Sequence, residues 1–240
     1  MKLENNLNSE TLWEIYETTF VPEQIVTTGS NYMIGNGYLG YRGTFADNTA
    51  ADYVACVVSD TYDNADGVWK ELVTAPNGLY TSVDVDGQPV RWGHDLTDGY
   101  RRELNVRFGE WSATGRDPRT GVTVTERRLA SYDDIHLLAS RTTIHAHSTC
   151  TVTVRSGIDG TVWSLNGDHY SALTPTSEGD TAEFTGVTGE SGYDVVVRRR
   201  TVVTDRSGAP IAPSAVDLGE FPARVLQEYS VPMQVGETLT

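Results

Sequence analysis

The sequence predicts an all-β fold, a single antiparallel two-sheet β-sandwich, and three observations predict it. Short runs rich in Val, Thr, Ile and Tyr recur along the chain; β-branched and aromatic residues fit a pleated, half-buried surface. Cys150, Val152 and Val154 alternate with Thr149, Thr151 and Thr153, and a period of two puts each set on its own face of a strand. Clusters of Gly, Asp, Asn and Pro separate the runs at 63–67, 84–87, 115–121, 159–160 and 166–168. Glycine and asparagine accept the positive φ that hairpin turns demand.

Taken in order, residues 9–16 admit either a short helix capped at Ser9 or, with Trp13 and Ile15 alternating, a strand. The clearest strands are 100–108, 122–130, 136–147, 149–155 and 193–203, and 224–234 reads as another. Residues 174–182 and 207–217 read as loops or hairpin tips, and 235–237 as a turn. Regularly spaced short strands of this kind pack as two sheets around one core. Residues 238–240 open a further element. Domains rarely stop at the first residues of a strand, so a fragment boundary is expected there.

Composition narrows the function. The chain has 240 residues and a formal net charge of −15. That length buries a real core. That charge argues against nucleic acid and against an anionic membrane surface, both of which need a positive face. The two cysteines, Cys56 and Cys150, each sit in an apolar run and are expected as buried, unpaired thiols. The N-terminus lacks the apolar core of a signal peptide, and no run approaches the roughly 18 apolar residues of a membrane span. The cytoplasm is the expected compartment.

Several motifs bear on chemistry. Gly35-Asn36-Gly37-Tyr38-Leu39-Gly40 matches the spacing of a dinucleotide fingerprint, with Asp60 twenty residues beyond. That chemistry needs a buried strand before the glycines and a helix after them; residues 27–31 and 41–45 supply neither. A glycine-dense turn in which the backbone passes close to something else fits better. Gly35, Asn36, Gly37, Gly40, Arg42 and Gly43 are therefore read as one structural element, with the Arg42 guanidinium bracing carbonyls or a carboxylate. His145 and His147 share a strand face but have no third ligand nearby, so no metal site is expected. Asp60, Asp63, Asp66 and Glu71 cluster near Trp69, in a context better suited to turns and surface than to acid–base catalysis. No catalytic residue is expected. Aromatic and polar side chains beside turns do fit contact with a sugar: Trp69, Trp163, Asn166, His169 and Tyr170 are the candidates, for carbohydrate contact or for loops facing a catalytic barrel.

Residues 31–43 resemble the "GNGYLGxRG" segment near the start of glycoside hydrolase family 65 enzymes. Residues 71–77, Glu-Leu-Val-Thr-Ala-Pro-Asn, resemble the "ELxxxPN" segment that follows it, and Ser156-Gly157-Ile158-Asp159-Gly160 resembles the "SGxDG" strand end. The stretches 100–104 and 126–131 fit the same pattern. The resemblance implies a β-sandwich at the start of a longer protein, then a helical linker and an (α/α)6 catalytic barrel carrying the catalytic glutamate. It implies inverting cleavage of α-linked glucose disaccharides, with inorganic phosphate as co-substrate in the phosphorylases and water in some relatives. The partners implied are the chain's own barrel, a second copy in a homodimer, and an α-glucoside at the barrel mouth. This chain would be a non-catalytic support, inactive alone, with no cofactor of its own. The alternative is a stand-alone carbohydrate-binding β-sandwich module.

Overall fold

In the computed structural model, residues 13–65, 69–219 and 224–240 are described. A six-stranded sheet runs Glu14–Glu17, Asp98–Asn105, Glu110–Asp117, Val122–Ala130, Leu138–Ala146 and Thr238–Leu239, in that spatial order. A five-stranded sheet follows the order Ala215–Gly219, Arg224–Met233, Cys150–Asp159, Asn77–Val85, Gln88–Val90. A four-stranded sheet holds Ile34–Gly35, Leu39–Tyr41, Cys56–Asp63 and Glu71–Ala75. A three-stranded sheet holds Tyr170–Glu178, Thr181–Thr188 and Asp194–Arg200. A two-stranded ribbon, Val203–Thr204 with Pro210–Ile211, completes the set. Each of these pairings is antiparallel.

The all-β class expected from the sequence is present, but the two-sheet sandwich is not. The four larger sheets are set as the blades of a propeller-like ring. Alternation reports which face of a strand is buried; it does not report which strands pair, and that is where the expectation failed. The alternation itself is clear: buried and half-buried residues alternate throughout Asn77–Val85. The turn after that strand puts Asp86 at φ 50° and Gly87 at φ 76°. Positive φ at both central residues is the twist-matched two-residue hairpin.

The main core draws on several sheets. Trp111, Val124 and Ile144 come from the six-stranded sheet, Val83, Val152 and Tyr229 from the five-stranded, Tyr41 and Cys56 from the four-stranded. Phe45 stacks on Trp92 with ring centroids 5.2 Å apart. A smaller cluster of Ile158, Ala182, Phe184 and Val225 joins the three-stranded sheet to the five-stranded one. Cys56 and Cys150 are both buried and free.

Local departures have local causes. Most of 174–182 is strand rather than loop, because Tyr170–Glu178 and Thr181–Thr188 form a hairpin. Its first strand has exposed and half-buried residues but no buried one, so no apolar alternation marked it. The 207–217 stretch carries two short strands. Residues 14–17 are strand, and Ser9 lies outside the described residues. The one α-helix among the described residues is Ile25–Asn31, ahead of the glycine segment.

Candidate functional site

The strands Cys56–Asp63 and Glu71–Ala75 set Asp63 directly opposite Glu71. Like charges opposite each other on neighbouring strands repel, and here both are largely buried. His169 resolves the conflict. Its Nδ1 lies 3.1 Å from Asp63 Oδ2 and its Nε2 lies 2.5 Å from Glu71 Oε1. A neutral imidazole has one N–H; with both nitrogens facing carboxylate oxygens, the ring is satisfied only as the imidazolium. Burial works against the charged ring, but the bonds to Glu71 and Asp63 outweigh it, and the His169 pKa is raised. Burial likewise opposes the Asp63 carboxylate, yet the Ser191 N–H and the His169 ring hold its pKa below the usual value.

This ion cluster fastens three loops. The backbone N–H of Ser191 donates to Asp63 at 2.6 Å, tying down the turn before Asp194. The N–H of Asn166 donates to Glu71 at 2.9 Å, and its side-chain amide donates to the Trp69 carbonyl at 2.7 Å. The Tyr170 hydroxyl donates to the Thr74 carbonyl at 3.1 Å. Gly167, at φ 94°, makes the turn between these anchors. Trp163 sets its ring edge-on to Tyr53 at 5.3 Å.

The five sugar-contact candidates therefore gather at one corner but split in role. His169, Asn166 and Tyr170 spend their polar groups on the protein itself. Trp69 stays 53% exposed and Trp163 half-buried. Of the carboxylates, Asp60 sits at φ 65° on a strand irregularity, Asp63 and Glu71 are the His169 partners, and Asp66 lies outside the described residues. Sequence reading missed the pairing of His169 with Asp63 and Glu71, because about a hundred residues separate them and no local pattern links them. Among the described residues no group of three metal-ligating side chains could hold an ion.

The glycine segment is a hairpin stitched from its tip. Ile34–Gly35 pairs with Leu39–Tyr41. Asn36 Oδ1 accepts from the N–H groups of Tyr38 and Leu39, while its Nδ2 donates to the carbonyls of Ser131 and Ile135 at 2.6 and 2.9 Å. Gly37 takes φ 91° with open space around it, so conformation alone demands glycine there. Gly43 is different: a Cβ would stand 2.4 Å from Tyr32 Cβ. Gly40 pairs with Gly35 across the hairpin. Arg42 donates to the Val26 carbonyl at 2.6 Å and the Ser30 hydroxyl at 3.2 Å, bracing the short helix. Beyond the hairpin, Arg102 donates to the Gly43 carbonyl at 3.1 Å and Arg128 to the Thr44 carbonyl at 2.5 Å, both side chains being almost wholly buried. Arg42, Glu71 and Trp163 line one cavity of about 280 Å³, so the segment and the latched loop meet there.

These features define an all-β domain whose most interlocked polar groups hold its own loops. Comparison with known proteins gives the family. Residues 15–240 match the family described as "Glycosyl hydrolase family 65, N-terminal domain", and the chain belongs to it. It is 38% identical over 185 residues to the 1,2-alpha-glucosylglycerol phosphorylase of Bacillus selenitireducens, which covers 74% of this chain and 24% of that protein. It is 31% identical over 164 residues to the nigerose phosphorylase of Lachnoclostridium phytofermentans, 66% of this chain and 21% of that protein. The fold is shared with a solved "Putative kojibiose phosphorylase from human microbiome" at a TM-score of 0.78 and 12% identity, covering 95% of this chain and 31% of that one. The chain thus spans about a quarter of the length of the curated relatives it matches.

Proposed function

We propose that this chain is the non-catalytic N-terminal part of an enzyme that cleaves α-linked glucose disaccharides with inversion, inorganic phosphate serving as co-substrate. The observation that carries this reading is the family match across residues 15–240, together with relatives named as phosphorylases of α-glucosides. The chain's part is support. Its latched corner presents Trp69, 53% exposed, and Leu165, 67% exposed, on loops whose main chain is fixed. That corner faces the mouth of the catalytic barrel, where the α-glucoside sits, and the full-length protein is a homodimer of the cytoplasm. Within the structure no described helix is long and apolar enough to cross a membrane.

The test is phosphate-dependent release of β-glucose 1-phosphate from kojibiose, nigerose and glucosylglycerol. The full-length protein is expected to release it and residues 1–240 alone to release none. Release by the fragment, or none by the full-length protein with any α-glucoside, overturns the reading. The exposed Trp69 also favours a second reading, a carbohydrate-binding module: an aromatic face stacks on a sugar ring. Glycan binding by residues 1–240 alone, lost in Trp69→Ala, would establish it.

A further inference from the structure

A cleft of about 660 Å³ runs between two strand edges. On one side is Leu138–Ala146. It pairs along its whole length with Val122–Ala130, but on its other edge only Ile144 and His145 have strand partners among the described residues, Leu239 and Thr238. On the other side is Asp194–Arg200, an outer strand of the three-stranded sheet. Each edge presents backbone N–H and C=O groups with no strand partner among the described residues. The lining is largely apolar and includes Leu39, Val58, Leu79, Ile144, Val197 and Leu239. Leu137, Val196 and Val202, which also line the cleft, are 49%, 60% and 52% exposed. Three of the four arginines there are engaged, Arg198 with Glu183, Arg200 with Asp180, and Arg199 with the carbonyls of Gly78 and Tyr80, while Arg141 lies exposed on the strand edge itself. Unpaired edges over an apolar lining fit a polypeptide strand better than a charged small molecule.

The register says which strand. Leu239 lies opposite Ile144 and Thr238 opposite His145, so each further step of that strand moves to Thr143, Thr142, Arg141 and Ser140. Ala146 exchanges backbone bonds with Glu237 and Gly236 on this edge. Backbone groups in an antiparallel strand alternate sides, so those of Ile144, Thr142, Ser140 and Leu138 point the same way, into the cleft. Thr204, in the short ribbon that follows Asp194–Arg200, donates its N–H to the Thr240 carbonyl at 2.8 Å and so fixes the end of the strand at the cleft.

We propose that the cleft holds one extended strand, the continuation of Thr238–Leu239 in the full-length protein, paired antiparallel with residues 138–143. The length for it is there in the relatives, of which this chain covers 24% and 21%. The strand links the six-stranded sheet to the three-stranded one. Its first and third residues after Thr240 share a face with buried Leu239 and Ile144, and are apolar for that reason. The inference needs only that the full-length protein is longer; it does not depend on the substrate.

Hydrogen exchange tests it. In the full-length protein the amides of Ser140 and Thr142 exchange at least about tenfold more slowly than in residues 1–240, where they form an open edge. Ser140→Pro removes the N–H that the strand would use while leaving the pairing with Val122–Ala130 in place. It lowers the melting temperature of the full-length protein and leaves that of residues 1–240 unchanged. Fast exchange at both amides in the full-length protein overturns the proposal, and so does an equal loss in both forms of Ser140→Pro. Protection that rises with protein concentration also overturns it, by assigning the edge to a second copy. If the proline variant does not fold, exchange in the unmodified proteins still decides. None of these outcomes touches the family assignment, which the sequence match carries.

Discussion

Two buried cations do similar work by different chemistry. Arg128 reaches the Thr44 carbonyl from the six-stranded sheet, pairs closely with Glu126, and lies 4.3 Å from the centre of the Trp111 ring. His169 bridges Asp63 and Glu71 at the loop corner. The guanidinium keeps its charge at every pH a protein meets. The imidazolium keeps its charge only below its pKa. The protein thus places a permanent clamp where the core passes under the glycine segment, and a conditional one where loops meet solvent.

The sharpest way to break the comparison is Arg128→Ala. It leaves the buried Glu126 carboxyl and the Thr44 carbonyl without their partner, at a cost of about 3–5 kcal/mol. Urea denaturation should show that loss at both pH 6 and pH 9. His169→Gln should cost less, about 1.5–3 kcal/mol at pH 6, the scale of hydrogen bonds to charged groups.

The His169 loss should also depend on pH. Its folded pKa is raised above the unfolded 6.5, so the clamp's contribution is fully present below 6.5 and fades as pH rises through the folded value. The Asp63 pKa is lowered from 3.8, so its contribution is present above that value and fades as pH falls through the folded one. The clamp is strongest between these limits. Asp47, which burial pushes up to about 7, also loses stability on ionising, so the difference between wild type and His169→Gln must be read, not either curve alone. A difference that stays constant from pH 6 to 9 would mean that His169 is not charged in the fold.

Gly37→Val should cost about 1–3 kcal/mol, since φ 91° suits glycine and strains a β-branched residue. Calorimetry of the variant measures it. A loss matched by Gly37→Asn, which tolerates positive φ, would shift the cause from backbone conformation to the exposed hairpin tip.

The two regions also differ in how far the sequence revealed them. The glycine segment was legible because φ and close approach select glycine locally: Gly37 for its dihedral, Gly43 for its contact with Tyr32. The partners of Arg42, Val26 and Ser30 on the short helix, were not legible, because nothing local to a turn says which carbonyl its five donors will reach. The strand expected at 149–155 announced itself by alternation, whereas its continuation to Asp159, buried at every position, did not. The sheet arrangement did not, because one buried face per strand is compatible with two sheets or with four. Nor did the His169 clamp, whose three members meet only once the four-stranded sheet and the 160–170 loop have docked.

The smallest effect separates clamp from cargo. The Trp69 carbonyl is held by Asn166, but the residue as a whole is 53% exposed. A backbone bond survives truncation of the side chain, and surface substitutions away from buried networks stay within about 0.5 kcal/mol. Trp69→Ala should therefore leave the melting temperature of residues 1–240 nearly unchanged, while under the proposed function it should raise KM for the α-glucoside in the full-length protein. Thermal melts and steady-state kinetics on the same variant read the two quantities independently. A stability loss as large as that of His169→Gln would show that the indole belongs to the latch, and that the exposed face of this corner is built for holding loops rather than for meeting a partner.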